Sequence, residues 1–256
     1  MKFSVFQMSR TGGRSRNEDR MGYRQGQDAA LLLVADGMGG HPEGELAAQM
    51  AVQCMTSLFE QQAKTIPISP LDFLRTALLE AHAQIIRYAR DQGMDDAPRT
   101  TLVAAIVLGD QVSWVHCGDS RLYWVRDDSL HLKTRDHSYL AQRPHPLPMT
   151  QAGLPVNRHA LFTCLGSPVA PVFDLGGPAR LQPGDRLLLC SDGLWNSVPD
   201  SEIVKELARS PVSSAVPELV EKALLRAGDK SDNVTAVALQ CELPDNGSDT
   251  SSSDRA

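Results

Sequence analysis

The chain has no surplus of positive charge: 25 Lys and Arg stand against 31 Asp and Glu, a net charge of −6. A general nucleic-acid binder would carry the opposite balance. Long apolar runs are also missing. The longest, Ala29–Ala35 and Leu102–Leu108, fall far short of the roughly 20 residues that cross a bilayer, so no membrane span is expected. Cysteine is sparse. The five residues (Cys54, Cys117, Cys164, Cys190, Cys241) are odd in number and form no C-x-x-C, which reads as reduced, buried thiols in a cytoplasmic protein. Met1–Arg10 offers neither an apolar h-region nor a cleavage site, so no secretory signal is expected. Three motifs are absent: H-E-x-x-H, G-x-x-x-x-G-K-[ST] and G-x-G-x-x-G. This excludes zincin, P-loop and dinucleotide-binding signatures. No cysteine is followed six positions on by Arg, which argues against the thiolate phosphatases.

What is present suits a globular protein. Of 256 residues, 42% are apolar and 22% charged, enough to bury a core without staples. Strands are predicted at Lys2–Met8, Met21–Gln25, Leu31–Ala35, Leu187–Cys190 and Val234–Gln240, from apolar runs bounded by turn residues. Thr101–Leu108 and Gln111–Cys117 flank Gly109-Asp110, and Leu122–Arg126 and Leu130–Lys133 flank Asp127–Ser129, so two hairpins are expected. Helical periodicity covers Gly44–Gln62, with Leu46, Met50, Cys54 and Leu58 on one face. It recurs from Pro70 to about Gln92, over Pro199–Arg209 and over Ser214–Ala227. Hairpins interrupted by pairs of helices predict an α+β fold rather than a doubly wound sheet. One domain, residues 1–242, is expected, followed by a polar, disordered tail at 243–256.

One arrangement recurs. An apolar run ends in an acid, as in Val34-Ala35-Asp36-Gly37, His116-Cys117-Gly118-Asp119-Ser120 and Leu189-Cys190-Ser191-Asp192-Gly193. Ser231-Asp232-Asn233 and Asn17-Glu18-Asp19 add acids beside other strands. Each alone is explained by a turn or a helix cap. Together, if the strand ends converge, the carboxylates repel unless a cation sits among them. Oxygen-only donors select hard ions, Mg²⁺ or Mn²⁺.

These residues resemble a known family. The successive segments Arg14–Asp19, Val34–His41, Gly118–Tyr123, Asp136–Ser138, Ser191–Leu194 and Asp232–Thr235 are similar, in order and spacing, to the motifs of the metal-dependent protein serine/threonine phosphatases. This is the type 2C or PPM family, and Asp36-Gly37-Met38-Gly39-Gly40-His41 resembles its bacterial branch. The resemblance implies an αββα sandwich of two antiparallel sheets flanked by helices. It implies a two-metal centre for Mn²⁺ or Mg²⁺ with room for a third ion. Asp36 would bridge both metals, Asp192 and Asp232 would hold the first, and the Gly37 carbonyl, with Glu18 through water, the second. Asp119 with Asp192 matches a third site. Asp19 would orient the attacking water, Arg14 would clamp the substrate phosphate, and Asn233 would support the solvent network. The implied reaction is hydrolysis of phosphoserine and phosphothreonine by a metal-bridging hydroxide. The implied partner is a phosphoprotein under a bacterial Ser/Thr kinase, and the enzyme is expected to be a cytoplasmic monomer.

Departures from the pattern also matter. Met38 stands where the eukaryotic relatives carry a His, which leaves water as the proton donor and His41 as a loop-shaping residue. Arg99 stands where a Gly is usual, and the segment corresponding to the flap, Gln142–Arg158, is rich in proline. Two other readings share these residues: a non-catalytic phosphoprotein-binding module, and a hydrolase of small phosphoesters.

Overall fold

The structure, a computed structural model, describes residues 2–26, 29–39, 43–62, 69–139, 141 and 160–242. The proline-rich segment 142–158, His41 and the tail 243–256 lie outside the described residues.

Among the described residues, ten strands form two antiparallel five-stranded sheets. The first sheet runs β1 (Phe3–Arg10), β10 (Val234–Cys241), β9 (Arg186–Cys190), β6 (Arg121–Arg126), β7 (Ser129–Lys133). The second runs β2 (Arg20–Gln25), β3 (Ala29–Ala35), β4 (Leu102–Leu108), β5 (Gln111–Cys117), β8 (Asp174–Arg180). Helices α1 (Gly44–Gln62) and α2 (Pro70–Asp91) cover the outer face of the second sheet. The short α3 (Asp192–Trp195) and the longer α4 (Asp200–Arg209) and α5 (Val212–Ala227) lie on the first. This is the αββα sandwich that the resemblance implies.

Strands β3 and β4 are apolar at every position because both of their faces are covered. Side chains alternate across a strand. In β3, Leu31, Leu33 and Ala35 face α1 and α2, while Ala30, Leu32 and Val34 face the other sheet. In β9, Leu188 and Cys190 face α5, and Leu187 and Leu189 face inward. A slip of one residue would exchange the two cores, so register is firmly specified.

Three local readings change. The buried stripe of α1 is Ala47, Ala48, Ala51, Met55 and Phe59, with Cys54 at its margin, while Leu46, Met50 and Leu58 are only half-buried. Alanines allow close approach to the sheet, so the stripe rotates toward them. Strand β8 has no counterpart in the sequence reading. Its sequence, DLGGPAR, lacks alternation and holds a proline, which is tolerated because β8 is an edge strand. Helix α3 was read only as part of a motif.

The Asp127-Asp128 turn closes β6–β7 with φ of 47° and 59°. This left-handed pair suits a two-residue hairpin.

Candidate active site

Register carries the acids to one edge of the sandwich. In the second sheet, β3 and β5 both run toward this edge on either side of β4, through pairs such as Val34↔Val103 and Leu102↔Cys117. Asp36 and Asp119 therefore emerge together. In the first sheet, β9 ends and β10 begins at the same edge, with Cys190 paired to Ala236, so Asp192 and Asp232 emerge facing them. A cleft of about 420 Å³ lies between, lined by Arg14, Glu18, Asp36, Gly37, Asp119, Asp192, Asp232 and Asn233, with Met38 and Thr101 among its other walls. Of the nine residues singled out, only Asp19 is not on its lining; it sits behind, 2% exposed.

The backbone around Asp36 is pinned on all sides. Its N–H donates to Thr101 Oγ1 at 3.1 Å, and its carbonyl accepts the Thr101 N–H and the Thr100 hydroxyl at 2.9 Å. Gly37 has no room for a side chain, since a Cβ there would lie 2.4 Å from the Gly44 carbonyl oxygen. Gly118 has φ +105°, and a Cβ would meet the Thr101 side chain at 2.7 Å. Close backbone approach explains both glycines. The Arg99 carbonyl accepts the Met38 N–H at 2.9 Å, and the Arg99 side chain turns to Asp96 at 2.8 Å. The arginine thus leaves the backbone contact intact.

Asn233 lines the cleft, and its amide is committed to the 11–18 loop. Its Oδ1 accepts the Glu18 N–H at 2.8 Å, while Nδ2 donates to the Thr11 and Arg16 carbonyls at 2.8 and 2.9 Å. The loop that carries Arg14, Glu18 and Asp19 is therefore hung from the start of β10. Two contributors escaped the sequence reading. The buried Ser191 hydroxyl donates to Asp19 Oδ2 at 2.7 Å and accepts the Thr235 N–H at 3.0 Å. Trp195 is half-buried, and its Nε1–H donates to the Asp119 carbonyl at 3.0 Å. A hydroxyl at the end of an apolar strand was the available signal for Ser191. Nothing local pointed to Trp195.

The carboxyls are far from their usual acidity. Burial raises Asp19 to about 6 and Asp192 to about 6, with the repulsion of neighbouring acids adding to both. Burial followed by the charges of Asp192 and Asp136 raises Asp119 to about 7. Asp36 is pushed well above the carboxylate range by burial and then by Asp19, Asp192, Asp119 and Asp232. Among the described residues, the cation that pairs with a cleft acid is Arg14, which donates to Asp232 Oδ2 at 2.7 Å from an exposed rim position. Asp19 Oδ1 is buried with no hydrogen-bond partner among the described residues. An unpaired buried carboxylate oxygen and four mutually repelling carboxyls are the signature of a site built for an external cation. The donor set is oxygen only, which fits Mn²⁺ or Mg²⁺.

Comparison with known proteins agrees. Residues 8–227 match the family described as Protein phosphatase 2C. The chain is 32% identical to the serine/threonine phosphatase stp of Listeria welshimeri, over 96% of this chain and 98% of that protein. It is 33% identical to the serine/threonine protein phosphatase PstP of Mycobacterium tuberculosis, over 82% of this chain and 40% of that longer protein. Among solved structures, the catalytic domain of PstP in complex with two manganese ions superposes with a TM-score of 0.75 at 31% identity, covering 94% of this chain and 99% of that one. With the sandwich, the acid-lined cleft and these relatives in hand, the chain belongs to the protein phosphatase 2C family, the metal-dependent protein serine/threonine phosphatases.

Proposed function

We propose that the cleft hydrolyses the phosphate monoesters of phosphoserine and phosphothreonine in proteins, using Mn²⁺ or Mg²⁺. The observation that carries this reading is the convergence of Glu18, Asp36, Asp119, Asp192 and Asp232 on one cleft with Arg14 at its rim. Asp36, Asp192 and Asp232 would hold one ion. Asp36, the Gly37 carbonyl and Glu18 would hold a second, and Asp119 with Asp192 a third. When bound, the ions would supply an acidified water as nucleophile and positive charge for the phosphoryl and leaving oxygens.

The protein's own groups do the rest. Phosphoserine carries close to two negative charges at neutral pH, and this acidic chain repels it except at the rim. Arg14 can exchange its Asp232 contact for two phosphate oxygens, since a guanidinium binds them in pairs. Asp19, fixed at Oδ2 by Ser191, keeps Oδ1 free to accept a hydrogen bond from the attacking water. Asn233 and Ser191 hold this frame rigid, which preserves alignment during attack. Among the described residues no side chain beside the cleft is placed as a general acid, and Met38 cannot serve; in this reading solvent protonates the leaving oxygen.

A second cavity of about 360 Å³ adjoins the cleft and shares Arg16 and Glu18 with it as a common wall. This supports a polypeptide substrate over a small ester. We place the enzyme in the cytoplasm, as a monomer opposing a Ser/Thr kinase. No helix among the described residues is long and apolar enough to cross a membrane. The test is phosphate release from a phosphothreonine peptide against a small phosphoester, with Mn²⁺ and with excess EDTA. Manganese-dependent turnover that favours the peptide supports the reading, and preferential turnover of the small ester overturns it.

A further inference from the structure

On the second sheet, beside the cleft, lies a group of different chemistry. His116 in β5 is the direct cross-strand partner of Asp174 in β8. His137, from the segment after β7, stacks on His116 with ring centroids 4.5 Å apart. One ring nitrogen from each histidine and a carboxylate oxygen of Asp174 lie within 4.8 Å of one another. Both histidines are almost wholly buried, and Asp174 opens to solvent. We propose that His116, His137 and Asp174 form a second cation site, selective for borderline ions such as Zn²⁺ or Cu²⁺, whose occupancy inhibits the phosphatase.

Two observations favour a ligand here. His116 Nε2 meets the Arg135 carbonyl at 2.8 Å, which places the ring proton on that nitrogen. The other nitrogen, Nδ1, then carries a lone pair, and it is buried with no partner among the described residues. A metal-binding histidine is typically held in this way, one nitrogen donating to a backbone carbonyl and the other left for the ion. The donor set of two imidazoles and one carboxylate also differs in kind from the all-oxygen cleft. Imidazole suits Zn²⁺, Cu²⁺ and Ni²⁺ and is a poor ligand for Mg²⁺. The two sites would therefore sort ions by hardness.

The link to activity runs through His137. Its Nδ1 accepts the Gly118 N–H at 3.2 Å, and its own N–H donates to the Gly118 carbonyl at 3.0 Å. The ring proton consequently sits on Nε2, 3.3 Å from Asp174 Oδ2. A cation bound at Nε2 takes that proton's place. The neutral ring then carries its proton on Nδ1, where it opposes the Gly118 N–H donor to donor. That hydrogen bond is lost, and the turn bearing Asp119 loses one of its two ties to His137. The Phe162 N–H donates to the His137 carbonyl at 3.0 Å, so the strain also reaches Leu161, which lines the cleft.

The inhibitory half of the proposal rests on the phosphatase reading; the binding half does not. The experiment adds one equivalent of Cu²⁺ to protein saturated with diamagnetic Mg²⁺ and records the electron paramagnetic resonance spectrum. The same preparations are then assayed for phosphopeptide turnover in saturating Mn²⁺ as Zn²⁺ is raised. The variants are Asp174→Asn, at an exposed position that should fold normally, and His116→Gln. Wild-type protein is expected to show nitrogen coupling from two imidazoles, reduced to one imidazole or none in His116→Gln and weakened in Asp174→Asn. The Zn²⁺ concentration for half-inhibition is expected to rise about tenfold in both variants. Coupling from two imidazoles that survives in His116→Gln overturns the site. Loss of coupling with unchanged Zn²⁺ sensitivity overturns the inhibitory role. Absence of turnover in Mn²⁺ alone would overturn the phosphatase reading and leave the copper result to judge the site.

Discussion

Two groups of acids sit side by side in this molecule and are treated in opposite ways. Behind the cleft, Arg121 holds Asp136 with two parallel bonds of 2.8 Å, stacks on Trp195 at 3.5 Å and donates to the Tyr123 hydroxyl. Asp200 accepts from Tyr123 and Lys133. Burial alone would raise Asp200, but the Lys133 and Tyr123 hydrogen bonds overcome it and hold its carboxyl below the usual range. At the ends of β6 and β9 remote from the cleft, Asp185, 1% exposed, is likewise bound by Arg126 through two nitrogens and by the Gln182 N–H. In the cleft, Asp19, Asp36, Asp119 and Asp192 have no such paired cation among the described residues, and their acidities move the other way. The same fold knows how to pair a buried acid. Where it leaves acids unpaired, the missing charge is to come from outside.

This contrast can be broken from either side. The largest effect is expected for Asp36→Asn, which removes the carboxylate common to two of the proposed ion positions. Turnover in saturating Mn²⁺ should fall by about 10³-fold or more, on the scale of losing a central electrostatic contact to the transition state. The chelated variant should be no less stable than chelated wild type, because a buried carboxyl crowded by other acids has been replaced by a neutral amide. Thermal melts in EDTA check this second half. A variant that melts well below wild type would mean that Asp36 is structural.

Arg121→Ala strikes the paired group. It leaves Asp136 buried without its partner and strips the cation from Trp195, so a loss of about 3–5 kcal/mol in urea unfolding is expected. Arg14→Ala is the counterpart at the rim. Arg14 is largely exposed, so stability should hardly change, while kcat/KM for a phosphopeptide should fall by about 10- to 100-fold, the worth of a charge-assisted bidentate contact.

The smallest effect is one of pH. The cleft acids are protonated more readily in the folded protein than in the unfolded chain. In the absence of metal, the folded state therefore binds more protons from about pH 4 up to the raised values of about 6 to 7. Stability is present at the low end of that window and is lost as pH rises through it. Chelated protein should melt at a higher temperature at pH 5 than at pH 7.5, and Mn²⁺ should raise the melting temperature more at pH 7.5. A melting temperature in EDTA that rises across the same interval would contradict the reading of the cleft as unpaired charge.

Much of the frame was legible before any coordinate. The apolar runs at Leu31–Ala35 and Leu187–Cys190 fall within strands buried on both faces, and helix α1 spans Gly44–Gln62 as expected. Hydrophobic periodicity is a local signal, and these elements have strong ones. Strand β8 lacked that signal because an edge strand with Gly176, Gly177 and Pro178 is stabilised by its neighbour, not by its own composition. Its absence from the sequence reading hid the His116–Asp174 pair, which exists only through β5–β8 registration.

The sequence by itself determined the kind of protein: acids and glycines at strand ends in a family order, an overall negative charge, and cores patterned for two covered sheets. The tertiary structure decided what those acids experience. Glu18, Asp36, Asp119, Asp192 and Asp232 reach one cleft only because β10, near the end of the chain, pairs with β1 and β9, and because Asn233 hangs the 11–18 loop from it. Acidity, pairing and metal affinity depend on distances of a few ångströms between groups remote in sequence, and such distances are set by strand register and sheet stacking rather than by any local pattern.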